Sequence, residues 1–253
     1  MKKVLKVLFF IFISSICFCN NILYVGTNAE FKPYEYLEED KLVGFDIELM
    51  EAIGEKLNYE IKWNNMSFDG LLPALQLGKV DAVIAGLTQT PERAKIVNFS
   101  IPYMFIFSSK HLIVTQNNNE DIINKESLKG KNIGIQLGSI QEQFVTQLEG
   151  NPKYFDSWTG ALMALNQEKL DAVIIDELSA KEYLKNFKDI KQVDVLVDEQ
   201  PAASIAFRKD EKELVEKIND IIIELRDNGK YLELLEKYFP QNVAEFKANY
   251  PQN

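Results

Sequence analysis

Two copies of one short pattern stand 90 positions apart in this chain: Lys79-Val80-Asp81-Ala82-Val83-Ile84 and Lys169-Leu170-Asp171-Ala172-Val173-Ile174. Each comes after an amphipathic helical stretch, residues 71–77 and 160–166, and each runs into a β-branched apolar strand. A helix–strand unit repeated at this distance predicts two similar α/β lobes in one polypeptide. Asp81 and Asp171, inside the repeats, read as turn residues.

The surroundings of each copy extend the pattern. Residues 22–26 read as a buried strand, 44–57 as a helix with Ile47, Met50, Ile53 and Leu57 on one face, and 60–63 as a second strand. Strand, helix, strand, helix, strand is the parallel α/β order. The second half starts over, with a strand at 132–136, a turn at Gly138-Ser139, helices at 140–148 and 177–187 and a strand at 193–197. Residues 107–115 and 201–207 are extended and apolar, and the helices at 211–226 and 231–238 have no strands of their own. The economical topology has a first lobe of residues 22–108 plus 203–253 and a second of 112–198. Each would hold a parallel-type sheet, and the two extended crossings would form a two-strand hinge.

The segments beyond the two repeat strands differ in charge. After the first comes Thr88-Gln89-Thr90-Pro91-Glu92-Arg93, ending in a cation; after the second comes Asp176, an anion. In open parallel sheets ligands bind beyond the carboxyl ends of the strands. Two such lobes face to face would therefore offer a cation from one wall and an anion from the other, which suits a zwitterion such as an amino acid.

The amino terminus carries Lys2, Lys3 and Lys6 before an apolar run from Val7 to about Phe18, too short to span a bilayer and placed as a secretory signal would be. A signal peptide of residues 1–19 predicts an exported, periplasmic protein. Cys17 and Cys19, the two cysteines of the chain, leave lipid anchoring as the alternative. Bulky Ile16 and Phe18 stand where a lipoprotein signal carries small residues. Either way no disulfide is expected. Without the three leader lysines, 25 basic residues face 38 acidic ones, a net charge near −13. Such a surface repels nucleic acid and anionic membranes, and neither is expected as a partner.

With these pieces placed, the chain resembles the extracellular solute-binding proteins, family 3, of polar amino acid ABC transporters, including the histidine, glutamine and lysine/arginine/ornithine binding proteins. The resemblance covers the whole chain after the signal. It rests on Gly26-Thr27-Asn28-Ala29-Glu30-Phe31-Lys32-Pro33-Tyr34-Glu35-Tyr36, Val43-Gly44-Phe45-Asp46, Ala85-Gly86-Leu87-Thr88, Thr90-Pro91-Glu92-Arg93, Gly138-Ser139 with Gln141, and Leu170-Asp171-Ala172-Val173 with Asp176. It implies the type II two-lobe periplasmic binding fold, a monomer, and delivery of a captured amino acid to a membrane permease, with no cofactor and no metal. Arg93 matches the arginine that grips the ligand carboxylate, a task for which a planar guanidinium has two parallel donors. Asp176 matches the carboxylate for the ligand ammonium. Thr88 and the backbone near Ala85 and Gly86 add donors, as do Ser139, Ile140 and Gln141 at a helix start. Phe31 and Phe68 match the aromatic rings that sandwich the ligand side chain.

Asn28 and Gln136 stand where basic-ligand relatives carry an acid and glutamine-type relatives a lysine, and Ile140 replaces a smaller residue. These departures point to a neutral amino acid, small or polar. Lysine or arginine stays open through Glu30 and Glu35 in the same loop. His111, the single histidine, reads as structural. Some relatives on this fold are dehydratases, but no Ser/His/Asp set, metal cluster or second catalytic domain is legible, so a binding protein and not an enzyme is expected.

Overall fold

The computed structural model describes residues 21–105, 109–198 and 203–251. The expected signal peptide, Cys17, Cys19 and short parts of the two hinge crossings, residues 107–108 and 201–202, lie outside them.

In the first half, β1 (Asn21–Thr27) is followed by a small three-stranded sheet of β2 (Glu30–Phe31), β3 (Glu35–Glu38) and β4 (Lys41–Val43). Then come α1 (Phe45–Leu57), β5 (Tyr59–Asn65), α2 (Phe68–Gln76), β6 (Ala82–Val83), α3 (Pro91–Ile96) and β7 (Asn98–Pro102). The second half runs β8 (Ser109–Gln116), β9 (Asn132–Gln136), α4 (Gln141–Gln147), β10 (Asn151–Phe155), α5 (Trp158–Asn166), β11 (Ala172–Asp176), α6 (Glu177–Tyr183) and β12 (Ile190–Asp198). After it, β13 (Ser204–Phe207) leads into α7 (Lys212–Asp227), α8 (Lys230–Tyr238) and α9 (Val243–Asn249).

Two five-stranded sheets result, ordered β5-β1-β6-β13-β7 and β10-β9-β11-β8-β12. They share one plan: three parallel strands, then the first strand after a crossing, laid in antiparallel beside the third. The parallel-type sheets expected from the helix–strand alternation are thus mixed. A strand that arrives from the opposite lobe enters the sheet from the far end, which reverses its direction, and β7 and β12 pair antiparallel with these arrivals.

Period-two alternation divides the apolar residues between the faces. Leu23, Val25 and Ile84 face α1 and the tail helices, where Leu49, Met50 and Ile53 meet Ile218, Ile222, Leu225, Tyr231 and Leu234. Val83 and Ala85 face Leu71 and Leu75 of α2 on the other side. In the second sheet Val173 and Ile175 meet Trp158, Leu162 and Leu165 of α5, while Ala172 and Ile174 meet Val145 of α4. The tail helices therefore build the core of the first sheet.

The repeat aspartates do the same work twice. Asp81 donates its N–H to Tyr24 O at 2.7 Å and accepts the Tyr24 N–H on Oδ2 at 3.0 Å. Asp171 donates to Asn132 O at 2.9 Å and accepts the Asn132 N–H at 2.7 Å. Each ties the turn before the repeat strand to the strand beside it, so that the two carboxyl ends emerge side by side in both lobes.

Candidate functional site

The loops beyond those strand ends meet in one cleft. From the first lobe, β6 runs into Ala85-Gly86-Leu87-Thr88, and Thr90 then caps α3 by accepting the Arg93 N–H at 3.2 Å. With Pro91 at the first helical position, this cap places Arg93 in the first turn. Its guanidinium donates to Thr88 O at 2.8 Å and to Gly138 O at 3.0 Å, and lies 5.6 Å from the centre of the Phe68 ring. Burial pulls its pKa down to about 10, against the pull of Asp198, so it stays charged at neutral pH.

From the second lobe, β9 ends at Gln136 and turns through Gly138, whose φ of +78° favours glycine. A Cβ on Gly138 would stand 3.2 Å from Asp69 Cα at the head of α2, so the two walls approach backbone to backbone. Ser139, Ile140 and Gln141 come next, at the start of α4. Asp176 ends β11 and caps α6, accepting from Leu178 N at 2.9 Å and Ser179 N at 3.0 Å, both on Oδ1. Oδ2 takes no bond among the described residues. Burial pushes this carboxyl up to about 6 although the two amides favour its charged form. One oxygen of the side chain is thus committed to capping α6, while Asp176 also lines the cavity.

The cleft is closed. Besides Arg93 to Gly138, Gln136 Nε2 donates to Asn28 Oδ1 at 2.9 Å, and the Tyr183 hydroxyl donates to Glu30 O at 2.7 Å. Phe31 packs against the cores of both lobes. A cavity of about 130 Å³ remains.

Of the residues expected at the site, Phe31, Phe68, Ala85, Gly86, Thr88, Arg93, Gln136, Ser139, Ile140, Gln141 and Asp176 all line this cavity. Asn28 does not. Its amide is spent on Met66 O and on Gln136, so it holds the wall from behind. Gln136 in turn gives Nε2 to Asn28 and to Asp156 O, leaving Oε1 without a partner among the described residues. Neither Glu30 nor Glu35 lines the cavity, because Glu35 turns into the protein interior.

His111 and Trp158 also line the cavity, with no sequence signal for either. His111 is paired with Asp176 across antiparallel strands, and that direction of pairing is not readable in advance. The ring lies 3.1 Å from Gln141 Nε2, and burial pushes its pKa down to about 4, so it is neutral at physiological pH.

Residues 23–241 match the family model of the bacterial extracellular solute-binding proteins, family 3. The arginine-binding extracellular protein ArtP of Bacillus subtilis (strain 168) is 39% identical over 226 residues, covering 86% of each chain. An ancestral arginine-binding protein solved with arginine superposes with a TM-score of 0.80 at 41% identity, over 87% of this chain and 98% of that one. An ancestral arginine-binding protein solved with glutamine gives 0.80 and 42% over the same shares.

Proposed function

We propose that this chain, which belongs to the bacterial extracellular solute-binding proteins of family 3, captures an L-amino acid in the interlobe cleft and delivers it to the permease of an ABC importer. It works as a monomeric periplasmic carrier and not as an enzyme. The observation that carries this reading is the opposition of Arg93 and Asp176 across one closed cavity, a half-buried cation and a buried anion from different lobes. In this closed arrangement Arg93 donates to two backbone carbonyls. An incoming carboxylate offers the guanidinium charge-assisted bonds in their place. Asp176 Oδ2 then receives the ammonium, and Phe31 and Phe68 flank the side chain.

The side chain recognised is one that ends in N–H donors, with arginine first. Gln136 Oε1 presents an acceptor at the cavity, Glu177 and the exposed Glu245 border it and outnumber Lys110 there, and the chain carries a net negative charge. Relatives named for arginine support the same choice. Glutamine is the second reading, favoured by the uncharged Asn28–Gln136 pair, which gives a cation a dipole in place of a counter-charge. This revises the neutral specificity read from Asn28, Gln136 and Ile140. It also relocates the available acids from Glu30 and Glu35 to Glu177 and Glu245. Competition calorimetry on ligand-stripped protein tests it: arginine should displace glutamine and alanine at lower concentration than either displaces arginine. The reverse order would restore the neutral reading, and failure of every amino acid to bind would overturn the function itself.

A further inference from the structure

Behind the Gly86 turn lies a pair of acids that the cleft does not use. Glu35 opens β3, Asp46 stands in the first turn of α1, and both have no exposed surface. They meet because the β2–β3 hairpin docks on the start of α1. Phe45 and Asp46 donate their N–H groups to Pro33 O and Tyr34 O at 3.1 and 2.9 Å. Gly44, at φ +134°, passes so close to Tyr34 that a Cβ there would stand 2.1 Å from its carbonyl oxygen.

The donors around the pair are distributed unevenly. Asp46 Oδ2 accepts the Tyr103 hydroxyl at 2.6 Å and the Gly86 N–H at 2.9 Å. No other group donates to Asp46 Oδ1 or to either oxygen of Glu35 among the described residues, and the two carboxyl groups stand within hydrogen-bonding reach of each other. The titratable groups facing them are Tyr34, Tyr103, Tyr183 and Tyr231, with Asp176 beyond Tyr34, none of them a cation. Two carboxylates buried side by side without a counter-charge cannot both ionise, and one proton held between them supplies the missing donor. Asp46 already has two donors and takes the charge; Glu35 keeps the proton. Burial and the neighbouring Asp46 push Glu35 well above the usual carboxylate range, while Asp46 rises only to about 6.

We propose that Glu35 and Asp46 share one buried proton and act together as positioning residues for the ligand cleft, holding the Gly86 turn through Asp46 Oδ2. Gly86 has a left-handed backbone with φ +55°, and a Cβ on it would come within 2.4 Å of the Phe31 ring. Phe31 itself stacks on Tyr34 at 4.8 Å. The turn and the ring form adjoining parts of the ligand wall, and the acid pair ties the hairpin carrying one to the strand end carrying the other. Loss of the proton would set two negative charges between these parts and drive them apart.

The affinity arm of the test rests on the amino-acid-binding reading; the proton arm does not. Carbon-detected NMR of ligand-free, carboxyl-labelled protein should show the Glu35 carboxyl still protonated at pH 7, where the surface glutamates have ionised. The Gly86 amide proton should lie downfield in the wild type and in Glu35→Gln, whose amide also donates to Asp46, and move upfield in Asp46→Asn. Arginine affinity should stay within about twofold in Glu35→Gln and fall at least tenfold in Glu35→Ala and Asp46→Asn. A Glu35 carboxyl that ionises together with the surface glutamates overturns the shared proton, and this wild-type measurement decides even if a variant fails to fold. A Gly86 resonance unmoved in Asp46→Asn overturns the positioning role. If no amino acid binds the wild type, the reading of the cleft fails while the titration still judges the proton.

Discussion

Acidification should weaken ligand binding through Asp176, and the structure sets the scale. A carboxyl raised from its ordinary 3.8 to about 6 carries a penalty of about 3 kcal/mol on its charged form, since each pKa unit is worth about 1.4 kcal/mol. A bound ammonium beside Oδ2 offsets that penalty and lowers the pKa in the complex. The free protein therefore binds more protons than the complex at pH values between the two, and affinity must fall as pH falls through about 6. At pH 7.5 Asp176 is about 97% ionised and at pH 5 about 9%, so affinity should drop roughly tenfold over that interval and about tenfold more by pH 4. His111, down at about 4, stays neutral over most of this window. The ligand carboxylate and ammonium titrate outside it. Calorimetry at half-unit steps from pH 8 to 4.5 is the assay, with Asp176→Asn as the control that should bind more weakly and lose less affinity on acidification than the wild type, its remaining pH dependence coming from Asp46, raised to about 6. Wild-type affinity at pH 5 within twofold of that at pH 7.5 would refute the assignment of Asp176 to the ammonium.

Arg93→Ala should cost roughly 2 to 5 kcal/mol of binding, because the carboxylate is left desolvated without its partner; Arg93→Lys should recover little of it, and a loss under tenfold in the alanine variant would count against the clamp. Small-angle scattering should show the wild type becoming more compact when ligand is added and Asp176→Ala doing so only at higher ligand; equal dimensions with and without ligand would argue against closure on binding. Tyr183→Phe removes the cross-cleft bond to Glu30 O without touching the cavity, so release of ligand should quicken several-fold with little change in the capture rate, measurable by stopped-flow fluorescence. Asp171→Ala strips the Asn132 amide of its partner and should lower stability by about 1 to 3 kcal/mol in chemical denaturation, with ligand selectivity unchanged.

The framework was legible because its signals are local. Residues 132–136 alternate apolar and small residues between turn formers and are the strand β9 at those bounds; α1 and α7 announce themselves by a 3.6-residue period. Direction of pairing was not legible, since the reversal of β8 and β13 comes from long crossings and not from any residue within them. The edge strand β10 has no regular burial alternation to betray it, and the short β2–β4 sheet is made by docking on α1. At the site, motif residues with a charge or a ring converge on one cavity. Asn28 sits beside the ligand motif yet serves Gln136 and Met66, and Glu35, read as an acid open to the ligand, points inward. Which way a side chain faces at the end of a short strand depends on what the neighbouring hairpin packs against, and spacing carries no trace of that.

The twin bonds of Asp81 and Asp171 have a consequence for how such a protein changes over time. Each aspartate secures its strand ends through backbone amides of its own lobe, so the strand pairing that aims the loops does not depend on the side chains of Gln136, Ile140 or Phe68. Substitutions at Gln136, Ile140 or Phe68 can then alter what is recognised while the strand pairings stay in register. Selectivity can drift by single steps, each leaving a folded and closable carrier, and a chain of this design can pass from one amino acid to another without crossing an unfolded intermediate.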